Sequence, residues 1–134
     1  MSDTEELSPL RADEIGQYRP SDEILRKARF IALTRRIVLV WENPRVYVHV
    51  GEDEDHVIVG GHYCSCEGFM RRVAQASPLA CSHVYAVGIA EEVDRLRKLI
   101  LSNPSELAQV VWEVLTGGLA VSLRRKLALQ SEHE

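Results

Sequence analysis

Aromatic residues are scarce in this chain, 6% of 134 residues, with two tryptophans and two phenylalanines. Few aromatics means few platforms on which unpaired bases stack, which counts against a protein built mainly to hold single-stranded nucleic acid. Long apolar runs are missing too, and no stretch approaches the ~18 residues that would suggest a membrane span. The opening Met1-Ser2-Asp3-Thr4-Glu5-Glu6 is acidic with no apolar segment behind it, so no secretory signal is expected. The expected location is therefore intracellular, either cytoplasmic or nuclear/nucleoid, with no membrane contact. Catalytic signatures are also lacking. There is no phosphate-binding G-x-x-x-x-G-K, no G-x-G-x-x-G, no G-x-S-x-G elbow, and no deaminase pattern of His-x-Glu with a later Pro-Cys-x-x-Cys. The chain is not expected to be an enzyme.

Cysteine is limited to three residues, an odd number that does not make a disulfide framework in a reducing compartment. All three fall into one pattern with a histidine. Cys64-Ser65-Cys66 and Cys81-Ser82-His83 are two tight pairs separated by 14 residues. Two pairs of soft or borderline donors are what a closed tetrahedral zinc site requires, so the expectation is one structural Zn2+ per chain on Cys64, Cys66, Cys81 and His83. Four protein ligands leave no open position for a catalytic water, which again argues against catalysis. His62 stands two residues before Cys64 and is treated as a neighbour of the shell. His49, His56 and His133 have no pairing logic and read as surface residues.

Net charge is −4, but its distribution is uneven. Residues 1–23 carry seven acids against Arg11 and Arg19, while residues 24–130 hold 14 basic and 11 acidic residues. Arg26, Lys27, Arg29, Arg35, Arg36 and Arg45 face only Glu42 in opposition, and Arg71-Arg72 sits beside the cysteine pairs. These residues are either a phosphate-facing patch or the solvated faces of a helix and a hairpin. Asp53-Glu54-Asp55 is either a hard-cation site or, more simply, an acidic hairpin turn.

Periodicity places these features on an α+β fold: a flexible acidic segment over residues 1–20, then a single domain over residues 21–130. Ser21 is positioned as the N-cap of a helix with Asp22 and Glu23 in its first turn and Ile24, Ala28 and Ile31 on its buried face, through about Thr34. Ile37–Trp41, Arg45–Val50 and His56–Val59 are β-rich, and Asn43-Pro44 and the acidic run 52–55 are turns, giving a three-stranded antiparallel meander. Val46, Val48 and Val50 alternate with Tyr47 and His49, which predicts one buried and one partly wet face. Cys64 and Cys66 project to one side of an extended segment. Cys81 and His83 lie about 200° apart on a regular helix, so Cys81 is expected at a helix entry, where the dipole favours a thiolate. That helix is expected over residues 82–101 with Ala86, Ile89, Ala90, Val93, Leu96 and Ile100 inside, and residues 67–80 read as a loop with about one helical turn. Asn103-Pro104-Ser105-Glu106 starts a further helix over 104–116 with Leu107, Val110, Val111, Val114 and Leu115 on its apolar stripe. Gly117-Gly118 ends it, and a last helix over 119–130 carries Leu119, Leu123 and Leu127.

Set in order, Cys64-x-Cys66 and Cys81-x-His83, with Cys64-Ser-Cys66-Glu-Gly-Phe69 and Cys81-Ser-His83-Val-Tyr-Ala86 around them, resemble the SWIM zinc-finger family. The resemblance covers about Ile37 to Val93. It implies a ββα finger with a finger core at about 37–93, to which 104–130 is a helical extension. The small, stand-alone length is similar to the small SWIM-domain subunits of the Shu complex, which act in homologous recombination. That likeness implies an adaptor that docks on a RecA-family recombinase paralogue, the alternative being a DNA- or RNA-binding module. The C-terminal helices are the expected protein interface, with a recombinase paralogue or a second copy. Trp112, Leu119 and Leu123 are the candidate contacts, Trp112 because it falls off the Leu107/Val111/Val114 stripe.

Overall fold

The computed structural model describes residues 20–77 and 79–132. The expected flexible segment 1–20 falls outside them but for Pro20, as does His133. Helix α1 spans Asp22–Leu33. Strands β1 (Ile37–Glu42), β2 (Arg45–His49) and β3 (His56–Val59) follow. The short β4 (Tyr63–Cys64) leads into α2 (Glu67–Ala74) and α3 (Ser82–Glu92). A two-residue β5 (Arg97–Lys98), α4 (Pro104–Gly117) and α5 (Val121–Glu132) complete the chain. The expected meander is present, extended on both edges into a five-stranded sheet of order β4-β3-β2-β1-β5. All its pairs are antiparallel except β1 with β5.

Each face of this sheet carries its own core, and the strand period of two sorts the residues between them. On one face Ile37, Leu39, Tyr47, Ile58 and Cys64 meet Ala28, Ile31 and Ala32 of α1 and Val84, Tyr85, Ala86, Val87 and Ala90 of α3. On the other, Val38, Val40, Val46, Val48 and Val57 meet Val110 and Val114 of α4 and Leu123 and Leu127 of α5. The C-terminal helices thus form the second covering layer of the sheet. The expected partly wet face does not exist: Tyr47 is 2% exposed and His49 8%, because helices cover both sides.

Caps set the helix boundaries. The Ser21 hydroxyl accepts from the Ile24 amide at 3.2 Å, as its position predicts. Asn103 Oδ1 accepts from the Glu106 amide at 3.0 Å with Pro104 in the first turn, and Gly118 closes α4 in the left-handed region at φ 79. The helix expected over 82–101 is shorter than its pattern suggested. It stops at Glu92, Asp94 takes a positive φ of 55, and the chain then extends so that the Leu99 and Leu101 amides donate to the Leu39 and Val40 carbonyls. Sheet pairing overrides helix periodicity there, leaving Val93 and Ile100 exposed rather than on a buried stripe. In the opposite sense, residues 67–80 hold the two-turn helix α2 rather than a single turn. Leu115 likewise leaves the predicted stripe and is exposed.

Candidate metal centre

Cys64, Cys66, Cys81 and His83 come together on the α1/α3 side of the sheet, with one ligand atom of each within 4.8 Å of all the others. Each arrives by a different local device. Cys64 ends β4 opposite Ile58, fully buried. Cys66 lies one residue beyond Ser65, at φ −74 and ψ 155, so the extended backbone turns it to the same side. It is also the N-cap of α2, its sulfur accepting from the Phe69 amide at 3.3 Å. Cys81 is the N-cap of α3, as the 200° argument predicted, but makes no side-chain cap bond. His83 follows in the first turn of α3. Two helix N-termini therefore converge on the sulfurs, and their partial positive charge favours thiolate. The cap at Cys66 was missed in the sequence because the helix it starts is short; the signals available were the first-turn Glu67 and the apolar Phe69 and Val73 one turn apart.

Proton bookkeeping in this cluster shows what it needs. Hydrogen bonds from Cys64 and Cys81 hold the Cys66 thiol far below its ordinary range, while bonding to Cys66 and Cys81 pushes Cys64 far above it. Burial opposes charge on His83, but bonding to Cys66 and Cys81 outweighs it and raises the imidazole to about 9. Negative charge on sulfurs this close together is self-repelling, and a proton on His83 offsets only part of it. A dication satisfies all four groups at once. The spacing agrees, since tetrahedral zinc with Zn–S of about 2.3 Å and Zn–N of about 2.0–2.1 Å sets sulfur and nitrogen roughly 3.5–3.6 Å apart. Cys64 Sγ and His83 Nδ1 are 3.7 Å apart. The residues present fit a zinc ion in size, donor type and number.

His62 is exposed and stays outside this set. The other two histidines overturn the surface expectation. His49 is buried, and burial, reinforced by the nearby His83 and His56, pushes its imidazole down to about 3. His56 lies across the β2–β3 ladder from it, and both rings stand beside His83 with centroids 4.6 and 4.5 Å away.

The basic residues are spread over several elements, and Arg36 lies over the Phe30 ring at 5.7 Å. Arg26, Lys27 and Arg29 are exposed on α1, and Lys27 is 3.4 Å from Glu23. Arg26 and Lys27 line a cleft of about 490 Å³ with Phe30, Ile31, Ser82 and His83. Arg35 and Arg36 line a second cleft of about 380 Å³ with Arg97, and Arg36 faces Glu52 at 3.6 Å. Arg45 is committed to Glu91 on α3 at 2.9 Å, where Tyr47 also donates its hydroxyl. Arg71 pairs with Glu67 at 3.3 Å, and Arg72 donates to the Gly68 carbonyl at 3.1 Å.

Of the candidate interface residues, Trp112 is 64% exposed and Leu119 36%, whereas Leu123 is fully buried. Leu123 is corrected from surface contact to core, because α5 turns it onto the sheet beside Val110 and Leu127. The acidic run is the turn between β2 and β3, as expected, rather than a hard-cation site. Asp55 is buried and its carboxylate is taken up by the Gly51 and Ala120 amides and by Arg124, leaving no oxygen set for a hard cation. Among the described residues, no single helix is long and apolar enough to cross a membrane.

No family model, curated protein or solved structure matches this chain.

Proposed function

We propose that the chain is a zinc-stabilised adaptor of SWIM type, in which a structural ion on Cys64, Cys66, Cys81 and His83 fixes the β4–α2–α3 corner and a separate surface docks a protein partner. The observation that carries this reading is the convergence of those four donors within 4.8 Å. Closed coordination by four protein ligands gives the ion a folding role: it ties strand β4 and the entry of the well-packed α3 to the entry of α2. No residue of α2 is buried, so that helix depends on its Cys66 cap for its place.

The docking role rests on α4. Trp112 and Leu115, three residues apart, present an apolar strip to solvent while Val110 and Val114 of the same helix seal the sheet. An exposed tryptophan beside leucine is the kind of anchor that dominates protein interfaces. The resemblance of the cysteine motif supplies the partner class, a RecA-family recombinase paralogue in homologous recombination, with a second copy of the chain as the other occupant of that strip.

A direct nucleic-acid role is the second reading, favoured by Arg26 and Lys27 at the cleft that reaches His83. Two measurements separate the readings. Co-purification with a RecA-family paralogue from the same genome, lost in Trp112→Ala, supports the adaptor. Tight binding to duplex or single-stranded DNA that falls steeply with salt and is lost in Arg26→Ala/Lys27→Ala supports the nucleic-acid role, since phosphate-driven affinity follows counterion release.

A further inference from the structure

We propose that His49, His56 and His83 hold a second transition-metal ion, with His83 bridging it to the cysteine site through its two ring nitrogens. The bridge rests on the cysteine-site reading; the His49/His56 pair stands on its own geometry. His49 and His56 are register partners across β2 and β3, and they share the face that carries Tyr47, Ile58 and Cys64. Their rings are parallel within 3°, and their Nδ1 atoms face each other at 3.5 Å. N–H···O bonds prefer about 2.7–3.2 Å, and on that scale this N···N contact stands at the outer limit of a direct bond. Two imidazole nitrogens on a tetrahedral ion at about 2.0–2.1 Å stand roughly 3.4 Å apart, which is the spacing seen.

The surroundings orient the donors. Glu54 Oε1 lies 3.3 Å from His56 Nε2 and accepts its proton-bearing edge, leaving the Nδ1 lone pair to face His49. A carboxylate behind a histidine is the usual outer partner of a metal-bound imidazole. His83 brings Nδ1 to the sulfurs, so Nε2 is the nitrogen left for a second ion, and one ring nitrogen of each of the three histidines lies within 4.8 Å of the others. Charge adds to geometry: zinc with three thiolates and a neutral imidazole carries a net −1, which attracts a second dication close by. All-imidazole donors select zinc, copper, cobalt or nickel over magnesium or calcium. The cleft lined by Ser82 reaches His83, one of the three histidines. Binding releases one proton, that of His83 Nε2, to solvent as the ring becomes a bridging imidazolate. No electron transfer is involved.

The test starts from zinc-loaded protein freed of excess metal and titrates it with Co2+, followed by native mass spectrometry, visible absorption and proton release. The expected result is one zinc plus one cobalt per chain, with cobalt d–d bands but no thiolate-to-cobalt charge transfer, and about one proton released. His49→Gln/His56→Gln keeps the zinc and loses the cobalt. Glu54→Gln, an exposed change with little risk to folding, weakens cobalt binding by about 10–100-fold. Retained zinc with no cobalt uptake, or equal uptake by the double variant, overturns the second site alone. A folded starting protein that holds no zinc overturns the cysteine reading and the bridge with it.

Discussion

Arg124 on α5 closes on Asp55 at the foot of β3, with Nη2 2.6 Å from Oδ1 and Nε 2.9 Å from Oδ2. The same carboxylate accepts from the Gly51 amide at 3.0 Å and from the Ala120 amide at 2.9 Å, and Arg124 also donates to the Gly51 carbonyl at 2.9 Å. One buried side chain thus fastens the last helix to the β2–β3 turn. Gly51 is needed there, because a Cβ would stand 2.2 Å from the Glu54 carbonyl oxygen.

Removing the acid leaves Arg124 and two amides without their acceptor. Asp55→Ala is expected to destabilise the fold by about 2–4 kcal/mol, below the largest values for buried pairs because Arg124 is 35% exposed. Burial works to raise the Asp55 carboxyl, but bonds from Arg124, Ala120 and Gly51 outweigh it and hold it below the ordinary value. A depressed folded value means the unfolded chain takes up the proton first as pH falls. The contribution is therefore complete above the unfolded value of about 3.9 and is lost as pH drops through the folded one. Denaturation of wild type and Asp55→Asn between pH 7 and 2 should show a steeper acid loss in wild type; parallel curves would contradict the clamp.

Metal removal should unfold the α2/α3 corner. A structural zinc contributes on the order of 10 kcal/mol, comparable with the stability of a whole domain. Chelation is expected to collapse the thermal transition, and Cys66→Ser or His83→Ala to give poorly soluble protein. Circular dichroism and thiol alkylation with and without chelator check this, the three cysteines reacting quickly only after the metal is stripped.

Ala86, on α3, is fully buried in the core shared with α1 and the sheet. Ala86→Leu should cost about 1–3 kcal/mol through overpacking. A variant that melts with wild type would show that the helices have room to separate.

Trp112 is far enough from the core that its loss should leave the fold intact. Trp112→Ala is expected to change stability by no more than about 0.5 kcal/mol while abolishing partner capture. A large fall in melting temperature with capture intact would return the residue to a packing role.

The sequence was most legible where one local signal had no competitor. Ser21 and Asn103 are caps whose side chains bond as their positions imply, and Cys81 reaches its helix entry because C-x-His geometry leaves few alternatives. It was least legible where long-range pairing decided the outcome. Residues 93–101 have a helical apolar period, yet β1 offers an open edge and the chain extends along it. The turn was legible, but the burial of Asp55 within it was not, because its partner, Arg124, lies 69 residues away. His49 and His56 looked isolated for the same reason: strand register and the arrival of His83 bring them together, and neither leaves a local spacing to read. Leu123 looked available for a partner because an amphipathic helix does not say which surface takes its apolar face.

The central claim is the ion on the two cysteine pairs, and X-ray absorption at the zinc edge, on protein carrying one zinc per chain, tests it most directly. The prediction is three sulfurs at about 2.3 Å and one nitrogen at about 2.0–2.1 Å. A first shell of nitrogen and oxygen alone, or well-folded protein that holds no metal, would contradict it.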